Sequence, residues 1–355
     1  MKNSTGSAAL DLLMRRRMLM AVLLPVLLAI SLAASLFFGA VGPVGLGVPR
    51  NMSLEEFFEA LAGGNNEFVV IIRSIRLPRI LLGALVGASL ALSGAGMQGL
   101  FRNPLAEPYI LGLSSGAALG ATLWFVFGFG FLPGTMGLGF LAFVAGILTV
   151  FLVYNLSQVG GAIRTDTLLL AGIAMATLLS ALTFFLLFLG QVGIQRTIYW
   201  LLGGLNLTTN GWLDVALLFP AVLAGALVLQ VFSRDVNVML TGEETATQLG
   251  VDVALVRRVL IVVPAVLTSL AVAVSGIIAF VGLIVPHIIR MLLGPSHRVL
   301  FPAAALGGAI FLVWADALAR TVLAPGEIPL GIVTAFCGAP FFIYLLRQRR
   351  LSYAP

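Results

Sequence analysis

The stretch GLFRNPLAEPYILGLSSG, residues 99–116, places an arginine, an asparagine, a glutamate and two prolines between two long apolar runs. The runs on either side, 79–100 and 111–131, are each long enough to cross a hydrocarbon core of about 30 Å as a helix. Proline removes a backbone donor and restricts the residue before it, so helices end and restart at such positions. The stretch therefore predicts a turn between two membrane-spanning helices.

The same pattern of apolar runs and short breaks continues along the whole chain. Hydrophobic residues make up 60% and charged residues only 10% of the 355 positions, and the mean hydropathy is +1.10, far above that of a water-soluble domain. A β-barrel is excluded because its strands are short and alternate in polarity. We therefore predict an all-α integral membrane protein, a single transmembrane domain over residues 1–355 with about ten transmembrane helices. The predicted spans lie near residues 18–41, 79–100, 111–131, 136–157, 168–190, 212–232, 259–281, 283–294, 300–319 and 329–346.

Basic residues predict the orientation in the membrane. Three arginines, 15–17, directly precede the first apolar run, which is longer than the core of a secretory signal and lacks its cleavage site, so we predict an uncleaved span. With the termini inside, roughly 14 basic residues fall in cytoplasmic segments and roughly 6 outside, as the positive-inside rule requires. We predict a multi-pass protein of the cell (inner, cytoplasmic) membrane with both termini cytoplasmic and residues 1–17 as a cytoplasmic tail.

Two long polar segments lie between the predicted spans. Outside the membrane, residues 42–78 contain Ser53 followed by two acids, a pattern that predicts a short amphipathic helix in this extracytoplasmic segment. Inside, residues 233–258 form the largest cytoplasmic loop.

The cytoplasmic loop contains the sequence TGEETATQLG, residues 241–250. Thr241 or Gly242 at the N-cap, two glutamates at the positive end of the helix dipole and Gly250 after the last turn predict a second short helix.

Several residue types are too rare to support other function classes. Lys2 is the only lysine, so the chain has no Walker-A sequence and is not a P-loop ATPase. His287 and His297 are the only histidines and Cys337 the only cysteine, which leaves no recognisable metal or haem site and no disulfide. The net charge of +6 matches the basic surplus of cytoplasmic loops, so we expect a lipid bilayer and no nucleic acid as a partner. We expect no cofactor.

One pattern of small residues and proline, S-G-x9-P-x7-G, occurs twice. The two copies are Ser93-Gly94, Pro104 and Gly112, then Ser275-Gly276, Pro286 and Gly294. The first copy lies on a span that runs inward and the second on one that runs outward, which predicts an inverted internal repeat as many transporters have. Chance recurrence in a glycine-rich sequence is the alternative.

Longer motifs resemble a known family. They are RLPRILLGALVGASLALSGAGMQGLFRNPLAEPYILGLSSGAALGA, TLLLAGIA, IYWLLGGL, GEETATQLGV, SGIIAFVGLIVPHIIR and GEIPLGIVTAFCGAPFFIYLL. In this order, from about residue 70 to 347, the chain resembles the FecCD permeases, the membrane subunits of type II ABC importers for cobalamin, haem and ferric siderophores.

The resemblance implies the type II ABC importer permease fold and a set of partners. It implies a homodimer with the path on its twofold axis, two cytoplasmic ATP-binding subunits that hydrolyse ATP, and one extracytoplasmic substrate-binding protein. The expected function is inward, ATP-driven movement of a bulky metal chelate by alternating access. An ion-coupled secondary transporter is the alternative, but the predicted spans contain no glutamate or lysine to form a coupling site. An intramembrane enzyme would need a paired catalytic constellation that two unmatched histidines do not supply.

The resemblance assigns the short helix of residues 241–250 to coupling with the ATPase. Small residues would let it seat closely, and its acids would offer charge to the partner. The coupling residues are Gly242, Glu243, Glu244, Ala246, Leu249 and Gly250. The alternative is a solvated helix that touches no partner.

Three arginines lie at outer ends of spans, against the positive-inside trend: Arg76, Arg79 and Arg320. In similar importers, arginines at these positions receive glutamates of the binding protein, since guanidinium–carboxylate pairs fix orientation. Snorkelling at a span end is the alternative. Asp316 lies four residues before Arg320, and this spacing predicts an intrahelical ion pair.

The resemblance also places a cytoplasmic gate at Asn103, Leu105, Thr165 and Asp166. A gate across a twofold axis needs small polar or apolar side chains that meet their symmetry mates without a buried unpaired charge. Asp166 fits this requirement less well than Thr165, because two carboxylates near the axis repel each other. Ordinary turn chemistry around Pro104 is the alternative.

Overall fold

The computed structural model describes residues 3–37, 55, 59, 62–63, 68–128, 134–159, 162–190, 194–205, 211–324 and 326–352. Nearly all of the predicted extracytoplasmic segment before residue 68, including its helix starting at Ser53, lies outside the described residues. The described part of the chain is helical apart from two paired strands of two residues each and the connecting loops.

The helices follow the apolar runs of the sequence. In chain order the elements are α1 (Asn3–Phe37), α2 (Phe68–Val70), a π-helical turn (Ile71–Arg76), α3 (Leu77–Leu100), a 3₁₀ turn (Pro108–Leu111), α4 (Leu113–Phe127), α5 (Gly134–Leu156), β1 (Gln158–Val159), β2 (Ala162–Ile163), α6 (Thr165–Gly190), α7 (Ile194–Leu201), α8 (Trp212–Val231), α9 (Ser233–Met239), α10 (Glu243–Gln248), α11 (Val253–Ser275), α12 (Val281–Leu293), α13 (His297–Thr321) and α14 (Leu330–Ser352). The strands β1 and β2 pair antiparallel.

Ten of these helices match the ten predicted spans one to one. Seven have the length and apolar composition to cross a membrane: Met14–Leu36, Ile71–Leu100, Met136–Leu156, Thr165–Gly190, Trp212–Val231, Val253–Ser275 and His297–Thr321. Three shorter apolar helices complete the set: Leu113–Phe127, Val281–Leu293 and Leu330–Leu345. The prediction of an all-α, multi-pass membrane protein is confirmed.

Helix α3 is the centre of the bundle, and its small residues explain why. It packs against α11, α12 and α13, and nearly all of its side chains are buried. A Cβ added to Gly87 would overlap the carbonyl of Gly308 on α13, and one added to Gly94 would overlap the carbonyl of Gly282 on α12. Between membrane helices the hydrophobic effect supplies no attraction, because lipid tails are as apolar as the side chains. Close packing of the helix backbones supplies van der Waals attraction instead.

The chain leaves helical geometry between α11 and α12. Helix α11 ends at Ser275, Gly276 has φ +66°, and α12 begins only at Val281. Gly282, just beyond this break, lies against Gly94 in the interior of α3. Irregular backbone at membrane depth is tolerated only where protein supplies its hydrogen-bond partners, so this break depends on the side chains packed around it.

The two copies of the S-G-x9-P-x7-G pattern do not occupy equivalent elements. Ser93 and Gly94 lie inside continuous α3, whereas Ser275 is the last residue of α11. Pro104 lies in a loop, whereas Pro286 lies within α12. The final glycines share a positive φ, +75° at Gly112 and +88° at Gly294, but their ψ values are 5° and 177°. The four positions of the pattern therefore do not have equivalent backbone conformations in the two copies.

Side-chain contacts define two opposite ends of the bundle. At one end, which we call the α10 end, Arg102 after α3 and Arg257 in α11 both contact Glu243 of α10. At the other, the Arg79 end, Arg79 contacts Glu327 in the α13–α14 connection. The first turns of α3 and the last turns of α13 share this second end, as alternating spans require.

Candidate functional site

Helix α10 forms as its sequence predicts. Gly242 is its N-cap with φ +136°, a conformation that side chains rarely adopt, and Gly250 follows the helix with φ +82°. Glu243 and Glu244 occupy the first turn, where negative charge is favourable beside the unpaired N–H groups of the helix. The prediction of a short helix with a Gly242 N-cap and Gly250 as its end is confirmed.

One face of α10 is turned into the chain and the other faces outward. Ala246 is 0% exposed, so it packs the helix against its own bundle. Its methyl group therefore contacts this chain itself. Leu249 is 67% exposed, and Glu244 and Gly250 are exposed beside it. An exposed leucine between polar residues is the apolar contact that a docking helix offers.

The two glutamates of α10 have different surroundings. Oε1 of Glu243 lies 2.6 Å from Nη2 of Arg257 and 3.4 Å from Nη2 of Arg102. Its carboxylate is therefore engaged within the chain, and Glu244 is the acid that the helix exposes. The sequence gives no reason to distinguish Glu243 from Glu244, but in the structure the two side chains have different surroundings.

The loop after α3 carries two of the predicted gate residues. Oδ1 of Asn103 accepts the Leu105 N–H at 3.0 Å, and the Ala106 N–H donates to the Asn103 carbonyl at 3.1 Å. This is the turn chemistry that asparagine before proline favours. Asn103 is exposed and Leu105 half-buried, so both side chains are at or near the surface of this end.

The other two predicted gate residues begin α6. Thr165 is its first residue and is half-buried, while Asp166 lies in the first turn and is exposed. Helix α6 then approaches the end of the Asn103 loop, because Gly172 lies against the Ile110 carbonyl. The two pairs of predicted gate residues therefore lie on segments that approach each other. No described hydrogen bond joins the side chains of one pair to those of the other.

A pair of polar residues missed by sequence reasoning holds the break between α11 and α12. Oε1 of Glu107 accepts the Phe280 N–H at 2.8 Å, and the Tyr109 O–H donates to the Ile278 carbonyl at 3.0 Å. Burial raises the pKa of the Glu107 carboxyl, and the Phe280 N–H lowers it by a smaller amount. A glutamate between two apolar runs was the one signal in the sequence.

At the opposite end, Arg79 has two carboxylate partners. Its Nε and Nη2 donate to Oδ1 of Asp316 at 3.1 and 2.9 Å. Its Nη1 and Nη2 donate to the two oxygens of Glu327 at 2.8 and 3.0 Å. This bidentate geometry fixes the plane of the guanidinium, and 15% of the side chain is exposed.

The other two predicted docking arginines are buried. Arg76 donates from Nη1 to the Leu36 carbonyl at 2.5 Å. Arg320 donates to Oγ of Ser35 at 3.0 Å and pairs with Oδ2 of Asp316 at 2.8 Å. The i,i+4 pair within α13 is therefore confirmed. Arg76 and Arg320 are 6% and 3% exposed within this chain, so Arg79 is the most accessible of the three arginines that the resemblance assigns to docking.

A cavity opens beside Arg79. It has a volume of about 210 Å³, and its lining combines the Asp316 and Glu327 carboxylates with apolar side chains. Its lining residues are Arg79, Tyr199, Gly203, Gly204, Leu205, Asp316, Ala319, Glu327, Ile328, Pro329 and Leu330. The cavity adjoins Arg79 and Glu327, whose side chains are 15% and 29% exposed.

The described residues offer no site for a resident metal ion: among them, no group of three or more His, Cys, Asp or Glu side chains converges.

Inside the bundle, Gln98 packs between helices, accepting from Nη1 of Arg290 at 2.8 Å and donating to the Leu283 carbonyl at 3.2 Å. Its hydrogen bonds are used for packing.

Comparisons with known proteins agree with one another. A family model described as the FecCD transport family matches residues 27–348. The chain is 49% identical over 284 residues to a protein of Halobacterium salinarum named a cobalamin import system permease protein, covering 79% of this chain and 74% of that protein. It is 42% identical over 285 residues to a protein of Yersinia pestis named a hemin transport system permease protein, covering 78% and 83%. A solved structure described as an inward-facing conformation of a metal-chelate type ABC transporter matches with TM-score 0.79 and 33% identity, over 94% of this chain and 99% of that one.

Proposed function

The chain belongs to the FecCD transport family, and from that premise we propose that it is the permease subunit of a binding-protein-dependent ABC importer carrying a bulky metal chelate inward. The observation that carries the proposal is the family match over residues 27–348. Relatives named for cobalamin and for hemin match at 49% and 42% identity, so the substrate is assigned by class: cobalamin, haem or a ferric siderophore.

The chain acts in transport rather than in catalysis, and its energy comes from a separate subunit. Lys2 is the only lysine in the sequence, so a Walker-A phosphate loop has no lysine to build on. Two cytoplasmic ATP-binding subunits would supply hydrolysis, one for each copy of this chain in a homodimer. The outward face of α10, with Glu244, Leu249 and Gly250, supports a docking site for such a subunit.

The orientation follows from that assignment. If α10 meets a cytoplasmic ATPase, then the α10 end faces the cytoplasm and the Arg79 end faces outward. Arg102 and Arg257 are at the α10 end, which agrees with the excess of basic residues that cytoplasmic segments carry. Both termini are then cytoplasmic, in the cell (inner, cytoplasmic) membrane.

The Arg79 end is the proposed docking site of the substrate-binding protein. Of the three arginines assigned to docking, Arg79 is the one whose guanidinium is partly open beside a cavity. Arg320 supports it from behind, because Arg320 shares the Asp316 carboxylate with Arg79, while Arg76 donates to the Leu36 carbonyl. A glutamate of the binding protein would add a further carboxylate to this cluster.

The gate assignment places Asn103, Leu105, Thr165 and Asp166 around the inner mouth of a path between two copies of this chain. Helix α6, which begins at Thr165, leaves Leu170, Phe184 and Phe188 well exposed, and an apolar helix on the bundle surface can face lipid or a second copy. The exposed Asn103 turn and the half-buried Thr165 suit contacts that form and part, since neither carries a charge.

Uptake assays test the function. The chain is reconstituted in proteoliposomes with its ATP-binding subunits, and the binding protein is loaded in turn with radiolabelled cobalamin, haem or a ferric siderophore. We expect uptake of one class that requires ATP and is unchanged by ionophores that collapse ion gradients. Uptake driven by an ion gradient without ATP would instead identify a secondary transporter.

A further inference from the structure

Glu243 is the one carboxylate of the α10 helix that faces the bundle, and it contacts two arginines from different elements. Its Oε1 lies 2.6 Å from Arg257 and 3.4 Å from Arg102. Arg257 belongs to α11, and Arg102 begins the loop that follows α3. A single carboxylate therefore joins α10 to the next helix in the chain and to the loop after α3, which is distant in sequence.

Arg102 reaches Glu243 from an unfavourable backbone conformation. Its φ is +47°, and among the described non-glycine residues only Phe280 also has a positive φ, at +71°. A left-handed conformation is costly for a side chain such as arginine, and it persists where surrounding contacts impose it. The ion pair with Glu243 is one such contact.

Both strained residues belong to the same chain of contacts. The loop that Arg102 begins ends at Glu107, whose Oε1 accepts the Phe280 N–H at 2.8 Å. Phe280 is the N-cap of α12, at the break between α11 and α12. A carboxylate therefore makes a contact at each end of the loop. Glu243 pairs with Arg102 at its start, and the side chain of Glu107 binds Phe280 at its end.

We propose that Glu243, with Arg102 and Arg257, is a positioning residue that couples α10 to the loop 101–107 and through it to the break before α12. A displacement of α10 moves the Glu243 carboxylate, and the loop follows through Arg102. The loop carries Asn103 and Leu105, so the contact links the ATPase-docking helix to the gate. This inference rests on the proposed function of α10 and of the loop.

Glu244 provides a matched control. Glu243→Ala and Glu244→Ala each remove one carboxylate from the first turn of the same helix, so their effects through the helix dipole are alike. Only the first breaks the contacts with Arg102 and Arg257. Arg102→Gln breaks the loop side of the contact, and Arg102→Lys retains its charge.

The first measurement uses the chain alone in lipid nanodiscs. Amide hydrogen exchange is followed at Leu105 and Ala106, whose N–H groups are bonded to Asn103. We expect Glu243→Ala and Arg102→Gln to raise exchange about three-fold, as loss of a partly exposed ion pair permits. Glu244→Ala and Arg102→Lys should stay near the wild-type rate. Equal exchange in Glu243→Ala and Glu244→Ala would overturn the inference.

The second measurement separates the inference from the proposed function. In the complex with its ATP-binding subunits and binding protein, we expect Glu243→Ala and Arg102→Gln to lower chelate transported per ATP at least three-fold, with hydrolysis retained. If the exchange effect is present but this ratio is unchanged, the contact does not couple transport and the inference fails. If Leu249→Lys on the same helix leaves assembly with the ATPase intact, the docking role of α10 fails instead.

Discussion

Gly308 shows how strongly single residues constrain this bundle. A Cβ at this position on α13 would overlap the Gly87 carbonyl and crowd Ala91 on α3. A Cβ at the neighbouring Gly307 would instead meet a side-chain methyl of Val285 at 3.1 Å. Backbone cannot move aside as a side-chain tip can, so adjacent glycines should respond differently to the same substitution.

We therefore expect Gly308→Ala to destabilise the protein by about 1–3 kcal/mol, the usual cost of overpacking a tight interface. Gly307→Ala is the control, with a much smaller effect. Thermal unfolding of the detergent-solubilised chain, followed by tryptophan fluorescence, measures both. Equal melting temperatures for the two variants would contradict the close approach of α3 and α13.

Arg79 is the central residue of the proposed docking site for the binding protein. Replacing it by glutamine removes the guanidinium but adds no negative charge beside Asp316 and Glu327. We expect Arg79→Gln to weaken the complex with the binding protein about ten-fold or more, measured by surface plasmon resonance on nanodiscs. Arg196→Gln, at an exposed arginine on α7, is the control. If both variants bind as the wild type does, the docking assignment is wrong.

Residue pairs close in sequence could be predicted, and distant ones could not. The Asp316–Arg320 pair follows from helical spacing, and the Asn103 turn follows from asparagine before proline. The contacts of Glu107 with Phe280 and of Arg79 with Glu327 join residues 173 and 248 positions apart. No local rule relates such residues, because their proximity is set by how the helices pack.

At the scale of elements, hydrophobicity predicted the ten spans because each must cross the same thickness of hydrocarbon. It did not predict where α11 ends. The run predicted to continue to residue 281 breaks after Ser275, although the residues beyond it are just as apolar. Glu107 and Tyr109 supply the hydrogen bonds that make the break possible, and apolar composition contains no information about them.

The two faces of helix α10 should respond differently to substitution. Ala246, fully buried, attaches the helix to the bundle, whereas exposed Leu249 faces outward. We expect Leu249→Lys to abolish co-purification with the ATP-binding subunits while leaving the melting temperature of the chain unchanged, because an exposed site tolerates charge.

Ala246→Leu is the contrasting variant of the same helix. Overpacking at this buried site should lower the melting temperature, with a cost of about 1–3 kcal/mol.

A Leu249→Lys variant that still assembles with its ATPase would show that α10 is a solvated helix without a partner.

At the scale of the whole molecule, the structure separates two candidate sites at opposite ends of one bundle. The α10 end presents the proposed docking helix and the predicted gate, and the Arg79 end presents an ion-pair cluster beside a cavity. Helix α3 runs between them, with Arg79 near its first residue and Arg102 just after its last. An importer needs such communication, because loading outside must control hydrolysis inside.

In the proposed mechanism, this chain transmits binding at the Arg79 end to an ATPase docked at the α10 end. The decisive measurement is the rate of ATP hydrolysis by the complete complex in nanodiscs, with and without chelate-loaded binding protein. We expect no hydrolysis by the chain alone, a higher rate when loaded binding protein is added, and loss of that stimulation in Arg79→Gln. Hydrolysis by the purified chain without its partners, or a rate indifferent to the loaded binding protein, would refute this mechanism.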